Sequence, residues 1–384
     1  MAVALVTAAS LLGDTLLYTA LPVSAARLGL DGLAVGLALS LNRWVRLFTN
    51  PLAARLYERF PAGGLVVAAL LLATASTALY ALPATLAVFL GARLVWGFCW
   101  SLLRLGSLVS AIDEAGPRAG RKLGEMRAIY GLGYLGGALY APVAIETIGW
   151  EGTALLAAAL TLLLGAGPAF IAAPWRRGAH VASDVERISL WEPRLTGLFA
   201  IALAQYFLYA GLVAVAGGLL IGTRYADGGP LFGWIVPATF VAGAFVLTQR
   251  ISQVVWTPLA GRLADRAAGR TLVLSTLAAA AGIAVLALPV GPTAFVAAAA
   301  VAFFAGISGV IAVELAIARR SSPHDRPRVL AAYNTWADIG AAAGALAGGA
   351  LAFLGTDLVL AAGAALALLV LPVWTFARGG ESTA

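Results

Sequence analysis

The sequence predicts an all-α integral membrane protein, with twelve transmembrane helices in two pseudo-symmetric six-helix bundles. Composition is the first reason: of 384 residues, 61% are apolar and 11% charged, and the mean hydropathy is +0.92. Soluble domains carry about a quarter charged residues. The second reason is that apolar stretches long enough to cross about 30 Å of hydrocarbon recur from end to end. The third is a repeat. Asn50-Pro51-Leu52-Ala53-Ala54-Arg55-Leu56-Tyr57-Glu58-Arg59 returns 207 residues later as Thr257-Pro258-Leu259-Ala260-Gly261-Arg262-Leu263-Ala264-Asp265-Arg266, with six identities and Glu58 exchanged for Asp265. The same register matches Asn42-Arg43 with Gln249-Arg250, and Gly133 and Gly137 with Gly340 and Gly344. The chain is therefore read as two copies of one unit.

In order, the spans fall near 2–21, 33–51, 63–82, 84–111, 124–145, 150–172, 196–222, 230–256, 271–289, 292–318, 329–353 and 357–377. Residues 1–21 lack a basic start and hold Asp14, so they read as a first span and not as a cleavable leader. The mixed-charge segment 173–195 is the longest polar interruption. It separates an N-terminal bundle, 1–172, from a C-terminal bundle, 196–384. Other connections are short and leave no room for a soluble catalytic domain. Span 5 carries Gly131, Gly133, Gly136 and Gly137, and span 11 carries Gly340, Gly344, Gly348 and Gly349. Small residues let helices approach in lipid, where burial of apolar surface supplies no drive between them.

The net charge of +7 would suit a nucleic-acid partner if it were clustered on one soluble face, but its distribution points elsewhere. With an even number of spans, one side holds Arg55, Arg59, Arg118, Arg121, Lys122, Arg127, Arg176, Arg177, Arg187, Arg194, Arg262, Arg266, Arg270, Arg319, Arg320, Arg326, Arg328 and Arg378. The opposite side holds Arg27 and Arg224. That asymmetry predicts both termini in the cytoplasm and an inner-membrane location. Cys99 is the single cysteine, which excludes an internal disulfide and suits apolar packing. His180 and His324 fall in loops, so no histidine relay is expected in the membrane. No phosphate-cradling Gly-Lys-Ser/Thr loop is present, so ATP is not implied. The chain is expected to be neither an enzyme nor a metal or cofactor protein.

These residues resemble the major facilitator superfamily. Gly261-Arg-Leu-Ala-Asp265-Arg266-Ala-Ala-Gly269-Arg270 is similar to that family's loop signature after spans 2 and 8, with one extra residue before Gly269. The first copy is poorer, with Ala54 for the leading Gly and Phe60-Pro61-Ala62 at its end. Arg93-Leu-Val-Trp-Gly97 resembles the span 4 Arg-x-x-x-Gly motif linked to proton coupling. Gly13-Asp14 followed by Ala20-Leu21-Pro22 resembles the span 1 motif of proton-driven exporters, one residue short. Gly340-x-x-x-Gly344-Ala-x-x-Gly348-Gly349 resembles the antiporter glycine motif, found here in span 11 instead of span 5. The resemblance implies a secondary transporter of a small-molecule solute with a midplane site between parallel halves, coupled to protons or another ion, surrounded by lipid and monomeric. The leading reading is a proton-coupled exporter, an antiporter working in efflux. One alternative is a carrier of a small organic anion, and another is a non-transporting membrane sensor or scaffold.

Ionisable residues at mid-bilayer cost at least about 2.5–3.5 kcal/mol, so each needs a partner or water. Asp14 lies seven residues from the outer end of span 1, and Arg93 eight or nine from that of span 4. At about 1.5 Å per residue the two are level. The resemblance implies that spans 1 and 4 line the same half of the central cavity, so the two form either a static pair or the coupling pair, in which drawing Arg93 away lets Asp14 take up a proton. Arg43 and Arg250 are symmetry mates, each eight residues before a loop proline. Arg43, Arg46 and Asn50 share one helical face, as do Arg250, Gln253 and Thr257. Arg43 and Arg250 either clamp an anion or, for Arg43, meet Asp338 at similar depth in span 11. Tyr130 and Trp336 border the glycine stretches and are candidate cavity residues. Arg104 and Glu314 lie toward the cytoplasmic ends of spans 4 and 10, as a gate bridge or as independent interfacial charges. Gly261, Asp265, Arg266 and Arg270 form either a conformational latch, Asp265 accepting from a neighbouring helix's N-terminal amides, or plain membrane anchors.

Overall fold

In hydrocarbon a backbone N–H or C=O finds no water, so each spanning segment satisfies its own hydrogen bonds as a helix. A computed structural model describes residues 1–82, 85–113, 119–175, 195–321 and 326–379. The helices are α1 (Ala2–Ser24), α2 (Gly32–Trp44), α3 (Arg46–Arg59), α4 (Ala62–Ala78), α5 (Leu86–Asp113), α6 (Ala119–Ala172), α7 (Thr196–Tyr206), α8 (Val213–Arg224), α9 (Ala238–Ile251), α10 (Thr257–Ala287), α11 (Pro292–Arg320), α12 (Arg326–Ala350), α13 (Thr356–Leu368) and α14 (Val370–Gly379). Arg118, Arg176, Arg177, His180, Arg187, Arg194 and His324, with nearly all of the 173–195 linker, lie outside the described residues. So do the side chains of Arg121, Arg326, Arg328 and Arg378.

The protein is a multi-pass membrane protein. Eight helices among the described residues are long and apolar enough to cross a bilayer. Large apolar side chains on them such as Leu71, Leu163, Phe170 and Leu274 are exposed. Two of the eight, Gly124–Ala172 and Ala238–Ala287, are 49 and 50 residues long, and each is broken inside. In α6 the break is Gly149 at φ 71°, a left-handed conformation that glycine adopts without a Cβ clash. The chain doubles back there: Gly133 rests on the Ala8 carbonyl, while Thr161 Oγ1 donates to the neighbouring Ala9 carbonyl at 3.2 Å. A straight helix would put residues 133 and 161 about 42 Å apart. In α10 the break is Ala267, at φ −160° and ψ 75°. On one side of it Trp256 Nε1 donates to Ser308 Oγ at 2.9 Å, and on the other Ser275 lies against Gly309.

The remaining expected spans, 33–51 and 329–353, are helical but do not qualify by length and hydropathy. The first is divided at Val45 into pieces of 13 and 14 residues. The second is α12, rich in Ala and Gly and carrying Asn334 and Asp338. The helices separate into two compact units, Met1–Leu30 with Leu41–Asp184, and Asp31–Ser40 with Val185–Ala384. In the first, α1 is buried along nearly its whole length, and a core of Tyr57, Val66, Leu70, Leu102 and Leu103 lies toward the chain start. In the second, Leu198, Phe199, Leu272, Val313, Ile317 and Tyr333 form the corresponding core.

The duplicated glycines do the same work in both units. Gly133 sets α6 on the backbone of α1, where a Cβ would strike the Ala8 carbonyl. Gly340 sets α12 on α7, where a Cβ would strike the Leu203 carbonyl. Two irregularities are specific to the second unit. Between α7 and α8 the chain makes a π-helical turn over Phe207–Leu212, and between α9 and α10 another over Ser252–Trp256. In the 207-residue register, Ser252 corresponds to Val45, the break between α2 and α3.

Span 8 does not begin at 230 as expected, because a hairpin occupies that stretch. Strands β1 (Gly229–Leu231) and β2 (Trp234–Val236) pair antiparallel around Phe232 and Gly233, at φ 50° and 91°. Two successive positive φ values are the signature of a tight hairpin turn. Thr293 Oγ1 at the start of α11 donates to the Pro230 carbonyl and accepts from Phe232 N. Nearby, Arg224 donates to the carbonyls of Leu286, Ala287 and Leu288 and pairs with Asp357 at 3.1 Å. It thereby supplies donors to the C-terminal end of α10, whose last carbonyls have no helical partner.

Substituting Gly340→Ala forces a Cβ into the Leu203 carbonyl, and overpacking of this kind costs about 1–3 kcal/mol. Gly91→Ala adds its Cβ to open space on α5 and gains up to about 1 kcal/mol of helix propensity. Thermal unfolding of detergent-purified variants should show Gly340→Ala melting below the parent and Gly91→Ala at or above it. Equal melting temperatures would contradict the close helix contact.

Candidate functional site

In the first unit three of the charges expected inside the membrane, Asp14, Arg43 and Arg93, meet around one aromatic ring. Arg93 Nη1 on α5 donates to Asp14 Oδ1 on α1 at 2.6 Å, with the two side chains 0% and 8% exposed. Tyr18, one turn along α1, turns its ring to the same guanidinium at 5.8 Å from ring centre to Cζ. Arg43 approaches the same ring, also at 5.8 Å. The ring face is the negative end of the aromatic quadrupole, so it attracts both guanidinium groups. Tyr80 places its phenol beside Arg93 from the turn after α4. Ser76 Oγ donates to the Ala92 carbonyl at 2.8 Å, clasping α4 to α5 just below the arginine. Gly13 admits Thr77 of α4 against α1, where a Cβ would collide with it.

Asp14 and Arg93 are thus neighbours, as their depth in the sequence predicts. Tyr18 and Tyr80 were not expected. The signal for Tyr18 was available, because Asp14 and Tyr18 are spaced i, i+4 and face the same way. Tyr80 sits outside any charge pattern and is found only by the fold.

Val45 keeps helical dihedrals, φ −62° and ψ −26°, and around it Arg43 turns to Tyr18 while Arg46 stacks on Trp100 at 5.2 Å. Asn50 Oδ1 accepts from Ser101 Oγ at 2.8 Å. Tyr130 packs its ring 6.1 Å from that of Trp100. In the second unit Arg250, Gln253 and Thr257 are linked by hydrogen bonds. Arg250 Nη1 donates to Gln253 Oε1 at 3.3 Å, and Thr257 Oγ1 to the Gln253 carbonyl at 2.7 Å. Trp336 stacks on Phe199, and Asp338 is half-buried on α12.

Arg104 on α5 and Glu314 on α11 are half-buried in their respective units. Asp265 Oδ1 faces Arg319 Nη2 in the last turn of α11 at 3.6 Å, both side chains more than half exposed. Its partner is therefore a side chain at a helix C-terminus and not the N-terminal amides expected. An exposed pair of this length contributes about 0–1 kcal/mol. Arg266 and Arg270 are exposed, and Gly261 is half-buried with open space around it.

The second unit also has a half-open cleft of about 140 Å³ lined by Gln205, Tyr206, Tyr209, Gln249, Ser252, Gln253 and Phe303, with Ala210, Ile307 and Val310. Gln249 Nε2 donates to the Tyr209 carbonyl at 2.9 Å, inside the first π-helical turn. Ser252 Oγ donates to the Gln249 carbonyl at 2.7 Å. Gln205 is a glutamine in the middle of an apolar span, and that polarity was the sequence signal for this site.

A family model described as Major Facilitator Superfamily matches residues 3–253. No curated protein sequence matches the chain. Among solved structures, a variant of the nucleoside transporter NupG is similar at TM-score 0.81 and 14% identity, over 98% of this chain and 100% of that one. A POT family transporter in complex with a thioalcohol-conjugated peptide is similar at 0.78 and 11%, over 100% and 96%. A bacterial homologue of the human lysosomal transporter Spinster, inward-facing and occupied, is similar at 0.78 and 13%, over 98% and 95%. At these identities the likeness is one of fold.

Removing one member of a buried ion pair leaves the other charge uncompensated, at a cost of about 3–5 kcal/mol. Asp14→Asn should therefore lower the melting temperature strongly, and the double variant Asp14→Asn with Arg93→Met should recover part of the loss. Thermal unfolding of the single and double variants checks this; simple additivity would mean that the pair is not coupled.

Proposed function

Because the chain belongs to the Major Facilitator Superfamily and is a secondary transporter of a small solute, we propose that it is a proton-coupled exporter of a small organic or drug-like solute. The observation that carries this reading is the buried Asp14–Arg93 pair, held at 2.6 Å beside Tyr18. While Arg93 donates to it, Asp14 has a counter-charge. A rearrangement that draws Arg93 away leaves the carboxylate in a medium that penalises charge, and it then takes up a proton. Release of that proton on the other side restores the pair and closes the cycle. Each proton crossing 100 mV supplies about 2.3 kcal/mol.

In this reading twelve segments cross the inner membrane, with α2–α3 and α12 among them and both termini in the cytoplasm. The halves are 1–172 and 196–384, joined by the 173–195 linker, and they rock about a midplane site. Arg104 and Glu314, with Gly261, Asp265, Arg266 and Arg270, serve the cytoplasmic gate. The breaks at Gly149 and Ala267, which turn two long helices into four crossing segments, support the count. The likeness in fold to a nucleoside transporter and to a POT family transporter in complex with a peptide conjugate supports a small organic cargo.

Reconstituted protein should move protons when an outward solute gradient is imposed, as read by a pH-sensitive dye inside liposomes. Asp14→Asn should abolish that proton movement while leaving solute exchange at equal concentrations. Anion flux that survives Asp14→Asn and is lost in Arg250→Gln would replace this reading with anion carriage by Arg43 and Arg250.

A further inference from the structure

The hairpin β1–β2 presents three large apolar side chains at one end of the second unit. Phe232, Trp234 and Ile235 are 65%, 77% and 81% exposed. In the 207-residue register, 229–236 matches 22–29, where the first unit leaves α1 through a plain turn over 25–29. A connection of this length therefore does not require a hairpin. The exposed Arg27 of that turn is the register mate of Trp234. One copy presents a cation and the other an indole at the same place, and the second copy carries no charged residue between Gly228 and Gln249. Clustered exposed apolar groups mark a surface that meets something other than bulk water.

The hairpin's attachment fixes its height in the membrane. Thr293 Oγ1 accepts from Phe232 N at 2.9 Å and donates to the Pro230 carbonyl at 3.0 Å, and Gly229 rests on Pro292. The tip is therefore level with the first turn of α11. That helix has 29 residues, about 43 Å at about 1.5 Å per residue, and a bilayer with its headgroups is about 40–45 Å thick. Its last turn holds Arg319 and Arg320, which belong at one membrane–water boundary. Its first turn, with the hairpin, then stands in the headgroup layer of the opposite leaflet. Exposed positions on α11 continue from there as Ala294, Ala297 and Val301, spaced by three and four along one face. The hairpin thus extends the exposed apolar side of a membrane-crossing helix. Its chemistry sets the depth more closely. A two-stranded sheet has open edges, which hydrocarbon does not tolerate and hydrated headgroups do. Tryptophan, with an apolar body and an N–H, is enriched in that same layer.

We propose that the hairpin 229–236 is an interfacial anchor, with Phe232, Trp234 and Ile235 set into the boundary between the headgroups and acyl chains of one leaflet. The strand edge stays in the hydrated layer, and the junction of α8 and α9 is held at a fixed depth. The partner is a phospholipid surface and not a particular headgroup, because the hairpin carries no charge to select one. The anchor needs the membrane-spanning fold but neither proton coupling nor any particular solute.

Spin-label accessibility tests it on the full-length protein, one copy per nanodisc of palmitoyl-oleoyl phosphatidylcholine. In a Cys99→Ala background, nitroxides are placed through Phe232→Cys, Trp234→Cys and Ile235→Cys, with Arg27→Cys and Val301→Cys as water and mid-membrane references. Collision with oxygen reports lipid, and collision with a water-soluble nickel chelate reports water. The hairpin labels should show an oxygen-to-nickel ratio several-fold above that of Arg27→Cys and below that of Val301→Cys. A ratio equal to that of Arg27→Cys, or shielding from both reagents by a protein contact, would overturn the proposal. Brominated lipids provide a second reading without a label. The protein has ten tryptophans, so the emission lost on Trp234→Phe isolates Trp234. That part should be quenched more by bromines near the glycerol end of the acyl chain than by bromines at the methyl end; absence of quenching, or equal quenching at both depths, counts against the anchor. Asp14→Asn should leave both readings unchanged, so failure of proton coupling and failure of the anchor are seen separately.

Discussion

A hydrocarbon solvent offers no hydrogen bonds and no reward for burying one apolar surface against another. Most of what this molecule does structurally follows from that. Backbone groups close on themselves as helices, and polar side chains turn inward to meet one another. The helices then need some other reason to adhere, and close backbone approach at small residues supplies it. Gly133 on α1 and Gly340 on α7 are that contact in its two copies. Where the chain must reverse between crossings, single residues suffice: Gly149 through a left-handed φ and Ala267 through an extended one.

The same solvent makes every interior charge and orphan polar atom costly, which gives them meaning. Arg93 and Asp14 neutralise each other, and the ring of Tyr18 adds a second favourable surface for the cation and a first one for Arg43. In the second unit the polar interior is of another kind. Its glutamines and π-helical turns surround an uncharged space instead of an ion pair. The two copies thus carry different chemistry at these places: the first holds a buried ion pair, and the second holds neutral hydrogen-bonding groups beside the buried Arg250.

Duplication explains why the halves agree where they do. Asn42-Arg43 and Gln249-Arg250 stand at the same register, but their surroundings differ. Arg43 and Arg46 meet different rings, those of Tyr18 and Trp100. In the second copy, next to a π-helical turn, Arg250, Gln253 and Thr257 are linked to one another. The outer ends also differ, because the second unit adds a hairpin pinned by Thr293 and an arginine, Arg224, that caps α10.

Much was legible in the sequence alone. Composition and apolar stretches determined a multi-pass helical membrane protein, and the repeat determined its two copies. Helical depth, at about 1.5 Å per residue, put Asp14 level with Arg93, and the family resemblance brought their spans together. The hairpin at 229–236 escaped because an apolar run ending in Val236 reads equally as the start of a helix until two positive φ values are seen. The direction each arginine takes and the polar residues around Gln205 depended on which helices come into contact. That is decided by packing between segments far apart in the chain, which no local pattern records.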